Sequence, residues 1–194
     1  MQNSSQNPII GEAFSRHAKI VEESLTQLLP EIQKAAEMLL GVVDAGRKIL
    51  VCGNGGSAAD AQHLAAEWVC RYKDDRPPLA AIALTVDASV LTAIGNDYGF
   101  ENVFVRQVEA LGNDGDVLVV FTTSGKSKNI LNAIQAAKKK GLKIIALTGV
   151  RGKDLKNVVD ATIVVPTEET ARIQEIHELI YHIWCEFVDE KLKL

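Results

Sequence analysis

The chain has 194 residues, 47% of them hydrophobic, with 21 Lys and Arg against 25 Asp and Glu for a formal net charge of −4. That length suits one domain of ordinary size, and the apolar share excludes a disordered chain. The scattered basic residues exclude a surface built for nucleic acid or anionic membrane, and no apolar run approaches the roughly 18 residues of a membrane span. The polar opening, residues 1–8, lacks the basic start and apolar stretch of a secretory signal. Cys52, Cys70 and Cys185 form no CxxC pair. A cytoplasmic protein with reduced thiols is the expectation, each cysteine acting as a small core filler.

Through the first 46 residues apolar positions recur at three- and four-residue steps: Ile20, Leu25, Leu28 and Leu29, then Ile32, Ala36, Leu39, Leu40 and Val43. The spacing predicts two N-terminal helices, the second opened by Pro30 and closed by Gly46. From residue 47 onward short apolar runs at 48–52, 80–84, 116–121, 143–147 and 161–165 alternate with helical segments. Those helices are predicted at about 57–71, 88–94, 103–111 and 128–140, with a last one at 169–191. The runs are nearly continuous rather than alternating, as in parallel strands buried on both faces. The expected fold is a single α/β domain over 1–194, a three-layer sandwich with a five-stranded parallel sheet flanked by helices. Ligands bind such sheets beyond the carboxyl ends of the strands, so the loops there are the candidate sites.

The first of these loops is Gly53-Asn54-Gly55-Gly56-Ser57, immediately before a helix. Its glycines admit close backbone approach, and the helix N-terminus offers free N–H groups to an anion. The same residues satisfy a loose dinucleotide pattern, the basis for an NAD-dependent oxidoreductase reading. That pattern needs an acidic residue about 20 positions on, ending a second strand. Asp74 and Asp75 sit instead in a polar connector. The third strand leads into Thr122-Thr123-Ser124-Gly125-Lys126-Ser127, a hydroxyl-rich loop before another helix, suited to a phosphate monoester. A P-loop would need glycine at position 120, which is Val120.

On the helix at 57–71, Asp60, His63, Glu67 and Arg71 share one stripe about 80° wide. His63 and Glu67, four apart, can bind one metal or act as a proton-transfer pair, although a solvated face with helical ion pairs carries the same spacing. On the last helix Gln174, Glu178 and His182 lie together, while His177 borders the apolar stripe of Ile173, Ile176, Ile180, Ile183, Trp184 and Phe187. Spacing does not choose between His177 and His182.

Taken in order, the segments 52–63 (CGNGGSAADAQH), Ala66-Glu67, Arg76-Pro77, 92–100 (TAIGNDYGF), Thr123-Ser124-Gly125 and Arg172-Ile173-Gln174-Glu175-x-His177 resemble the phosphoheptose isomerases of the sugar isomerase (SIS) domain superfamily. The resemblance covers nearly the whole chain. It implies conversion of sedoheptulose 7-phosphate to D-glycero-D-manno-heptose 7-phosphate through an enediol, the first step toward heptosylated bacterial surface sugars. It also implies a homotetramer with active sites at subunit interfaces. The family's metal positions, commonly zinc, fall on His63, Glu67, Gln174 and His182, and its acid/base pair on Glu67 and His182. Substrate contacts fall on Asn54, Gly55, Gly56 and Ser57, on Glu67, on Asn96 and Asp97, on Thr122, Thr123, Ser124 and Ser127, and on Gln174. Lys126 stands where many members carry Asn. A rival expectation is a non-catalytic relative that binds sugar phosphates or a replication initiator. Such a relative is expected to lose Glu67 and His182, which this chain keeps.

Overall fold

A computed structural model of the protein describes residues 7–192; the first six residues of the polar opening lie outside them. Two helices, α1 (Pro8–Gln27) and α2 (Leu29–Asp44), precede an alternating series. The series runs β1 (Ile49–Gly53), α3 (Gly56–Val69), β2 (Ala81–Ala83), α4 (Ala88–Tyr98), α5 (Val105–Leu111), β3 (Val117–Thr122), α6 (Lys128–Lys139), β4 (Lys143–Gly149), β5 (Ala161–Val165) and α7 (Thr170–Leu192). Local chemistry sets the helix starts. The Asn7 side chain accepts from the Ile9 N–H ahead of Pro8, and Asp87 accepts from Val90 N–H at the head of α4.

The five strands form one parallel sheet in the order β2-β1-β3-β4-β5, with Val51 opposite Val119 and Val119 opposite Ile145. Alternate side chains leave the sheet on opposite faces. Val51, Val119, Phe121, Ile145 and Ile163 pack under α1, α2, α3 and α7, meeting Leu39, Leu64, Trp68, Ile176 and Trp184. Leu50, Cys52, Leu118, Val120 and Ile144 pack under α4, α5 and α6, meeting Ile94, Val108, Ile130 and Ile134. The expected three-layer α/β fold is therefore present, and β1 and β3 are buried along their whole length. At the sheet's edge β5 alternates instead, with Thr162 and Val164 only half-buried. Among the described residues no helix is long and apolar enough to cross a membrane.

Three local expectations change. First, α3 ends at Val69, so Arg71 leaves the predicted stripe and is exposed. The guanidinium of Arg76 binds the Glu67 and Trp68 carbonyls at 2.9 Å each, and Leu79 N–H takes Trp68 O, which removes the acceptors a continuing helix would need. Second, α4 runs one turn beyond residue 94, and a 3₁₀ run over Val150–Asn157 follows β4. Third, Cys52 and Cys185 are buried fillers, whereas Cys70 is exposed.

The chain's direction of sheet growth reverses between β1 and β3, because β2 lies on one side of β1 and β3 on the other. In open parallel sheets the crevice beyond the strand ends at such a reversal is the place for a ligand. The glycine loop follows β1 and the hydroxyl loop follows β3, so topology brings both to that crevice.

Candidate active site

A hollow of about 320 Å³ lies there, lined by Asn54, Gly55, Gly56 and Ser57 from the first loop and by Thr122, Thr123, Ser124 and Ser127 from the second. Phe121, Thr170 and Gln174 complete it. A Cβ at Gly56 would fall on the amide of Gln174, the side chain that closes the hollow from α7, so any larger residue there would push that amide aside. Gly125 is required twice over. It holds φ +66°, and a Cβ would strike the backbone of Gly152, so the 3₁₀ run behind the hydroxyl loop could not approach. Within the loop the Thr122 hydroxyl accepts from Gly125 N–H at 3.2 Å and the Ser124 hydroxyl from Lys126 N–H at 3.3 Å. The described lining is uncharged, rich in hydroxyls and set at the N-termini of α3 and α6. That combination suits an oxyanion held by neutral donors and two helix dipoles. A wider hollow, about 570 Å³, opens along the outer edge of β5, three strands from β1, with a mostly apolar wall of Leu28, Pro30, Val159, Val164 and Pro166.

Further along the packed pair α3 and α7 the titratable residues gather. One ligand atom each of His63, Glu67 and His182 lies within 4.8 Å of the others. His63 Nε2 is 3.1 Å from Glu67 Oε1, and the rings of His63 and His182 meet edge to face at 5.0 Å. An ionised carboxylate only accepts, so His63 donates to Glu67 through Nε2. His63 Nδ1 then accepts from the Tyr181 hydroxyl at 2.8 Å. Burial, reinforced by the charge of Glu178, holds the Tyr181 phenol far above its ordinary pKa, so it keeps the proton it donates. Glu178 Oε1 stands 3.5 Å from the same nitrogen, and Tyr72 stacks on His182. Asp60, one turn before His63, is pushed up to about 6 by burial and by Glu178, with His63 opposing.

Two imidazoles and a carboxylate at this separation can hold a divalent metal ion. For His63 to ligate through Nε2 its proton would sit on Nδ1 instead, which would then donate to the Tyr181 hydroxyl or to Glu178, the outer partners that orient such a ring. Gln174 shares the α7 face of Glu178 and His182, but its amide rests against Gly56. Asn96 and Asp97 are exposed on the last turn of α4, bonded to each other at 2.7 Å and outside the residues lining the hollow. Sequence reasoning missed Tyr181, whose position beside His182 was the available signal. It also missed Asn129, which is 3% exposed and bonded to Asn54.

The structure separates the two α7 histidines. His177 is fully buried against Phe121, and neither ring nitrogen finds a hydrogen-bond partner among the described residues. Burial pushes its pKa down to about 3, opposed by a contact with the Thr148 backbone. His177 is therefore a neutral core side chain, while His182 faces the cluster. The unfolded chain binds this proton near pH 6.5 and the folded chain near 3, so stability falls as pH drops between those values, by about 1.4 kcal/mol per unit for this one group. The variant His177→Phe is expected to flatten that decline in melting temperature between pH 6.5 and 4. Parallel slopes for the two proteins would remove His177 as the cause.

Comparison with known proteins gives the same site a family. Residues 14–149 match the SIS domain family. A phosphoheptose isomerase of Campylobacter jejuni is 52% identical over 182 residues, covering 94% of this chain and 97% of that one. The structure of a Neisseria gonorrhoeae phosphoheptose isomerase superposes with a TM-score of 0.89 at 45% identity, over 94% and 98% of the two chains. One from Francisella tularensis gives 0.91 at 42%, over 94% and 97%. The chain belongs to the phosphoheptose isomerase family. Within that family assignment β1 to β4, the glycine loop and the hydroxyl loop fall in the span that matches the SIS domain, whereas β5 and α7, with Gln174 and His182, lie beyond it.

Proposed function

We propose that this protein is an aldose–ketose isomerase that converts sedoheptulose 7-phosphate to D-glycero-D-manno-heptose 7-phosphate, the first step of bacterial heptose assembly. The observation that carries the reading is the convergence of Glu67 and His182 beside a hydroxyl-lined anion hollow, in a chain 52% identical to a phosphoheptose isomerase. Gly56 and His63 are seven residues apart on α3, roughly 10 Å along the helix. A substrate with its phosphate in the hollow and its reacting carbons at the histidine cluster fits that separation.

In the mechanism, Thr122, Thr123, Ser124 and Ser127 bind the phosphate, with Asn54, Gly55, Gly56 and Ser57 along the chain of the sugar. Glu67 removes a proton from C1 of the ketose and an enediol forms. Glu67 then returns the proton to C2, while His182 moves the C1 hydroxyl proton to the oxygen on C2, so atoms and charge balance. His63, Glu67 and His182 are the residues that would hold zinc, a borderline ion suited to nitrogen and oxygen donors, and Gln174 would join them only by turning its amide away from Gly56. When bound, zinc polarises the ketose carbonyl and neighbouring hydroxyl as a Lewis acid. Asn96 and Asp97, exposed and outside the lining of the hollow within one chain, fit a homotetramer in which a second subunit supplies them to the site. The chain works as a single SIS domain in the cytoplasm.

Incubation of the purified protein with sedoheptulose 7-phosphate is expected to give an aldose 7-phosphate detectable by NMR. Absence of that product would sink the assignment. Dialysis against a chelator is expected to lower the rate, with recovery on adding zinc. A rate indifferent to both treatments would leave zinc no part in turnover.

A further inference from the structure

Asn129 lies at the start of α6, outside every loop residue assigned to the ligand, yet it is buried and paired with Asn54. Asn54 Nδ2 donates to Asn129 Oδ1 at 3.0 Å, and Asn129 Nδ2 donates to Asn54 Oδ1 at 2.8 Å. Two amides bonded in this way could be exchanged, oxygen for nitrogen, without loss. A third contact removes that freedom: the Ile130 N–H, which also reaches Ser127 O at 3.1 Å, donates to Asn129 Oδ1 at 2.9 Å. A backbone N–H only donates, so the atom facing it is the oxygen. The orientation of Asn129 is thereby fixed, and through it that of Asn54.

We infer that Asn129 is a positioning residue that locks the Asn54 amide so that Asn54 presents a single N–H donor to an acceptor oxygen of the ligand, joining the two ligand loops across the β1–β3 reversal. Asn54 lines the hollow, its carbonyl is turned to Asn129, and one of its two N–H groups is already used. The remaining N–H is what it offers to a phosphate oxygen or a sugar oxygen. An unanchored amide would spend part of its time with its oxygen toward that acceptor, which repels it. This inference rests on the proposed sugar phosphate site.

The test is a double-mutant cycle on Asn54→Ala and Asn129→Leu, read as KM and kcat for sedoheptulose 7-phosphate and as calorimetric affinity for inorganic phosphate. Each single variant is expected to raise KM about tenfold, the scale of one hydrogen bond to a charged or strongly polar acceptor, with kcat within about threefold. The double variant is expected to match either single one, because Asn129 acts only through Asn54. A double variant showing the product of the two effects, or an Asn129→Leu with unchanged KM, overturns the inference. Asn129→Ala removes both contacts to Asn54 with no added bulk or charge, so it is the fallback if Asn129→Leu unfolds; an unchanged KM there also overturns the inference. Weakened phosphate binding assigns the N–H to the phosphate, and weakened KM with phosphate binding intact assigns it to the sugar; both support the inference. If the wild-type protein fails to turn over the ketose, the isomerase reading falls. The same cycle is then read on phosphate affinity alone, where non-additive losses sustain the Asn54–Asn129 coupling and additive or absent losses overturn it.

Discussion

Glu67→Gln is expected to lower turnover of sedoheptulose 7-phosphate by about 10²–10⁴-fold, the range for loss of a general base, with the melting temperature held close to wild type. The amide keeps what the structure asks of position 67, since its oxygen still accepts from His63 Nε2, now 3.1 Å from the carboxylate. What it loses is the ability to take a proton. The same carboxylate stands among the candidate metal ligands, so the rate must be measured with and without excess zinc. Recovery in excess zinc would make Glu67 a ligand rather than a base, and turnover within threefold of wild type would remove it from the mechanism. The Glu67 side chain is about one-fifth exposed, so the substitution leaves no buried cavity and the rate can be read without a folding correction.

The positions of the strands were legible because burial on both faces leaves an unbroken apolar run, as in Ile49–Gly53 and Val117–Thr122. The two ligand loops were legible for a related reason: glycine and hydroxyl clusters after such runs have few other uses. Spacing also put His63 and Glu67 on one face of α3, but it could not weigh His177 against His182. That choice depends on which side of α7 meets the sheet, a tertiary fact that only Phe121 packing on His177 decides. Arg71 was misplaced because nothing local ends α3; Arg76, five residues on, does so by taking its carbonyls. Arg172 and Glu175, conspicuous in the sequence, fasten α1 to α7 through Ala13 O and His17. Asn129 and Tyr181 act by contacts 75 and 118 residues away in sequence, and no periodicity encodes those.

Asp189→Leu is expected to destabilise the protein by about 3–5 kcal/mol, the effect of removing one partner from a buried ion pair. Arg76 Nε lies 2.6 Å from Asp189 Oδ1, and the two side chains are only 8% and 7% exposed. Without the carboxylate the guanidinium stays buried, held by the Glu67 and Trp68 carbonyls, with its charge uncompensated. Adding Arg76→Met to Asp189→Leu removes the orphaned charge and is expected to recover part of the loss. Full recovery is not expected, because the Glu67 carbonyl at the end of α3 then lacks its partner, at about 1–3 kcal/mol, while Trp68 O keeps the Leu79 N–H. Denaturant unfolding of the three proteins checks the order: wild type most stable, the double variant next, Asp189→Leu last. A double variant as stable as wild type would reduce Arg76 to half of an ion pair. The expected order instead makes it the cap on α3 that fixes the last turn, and with it the placement of Glu67 against His63 and His182.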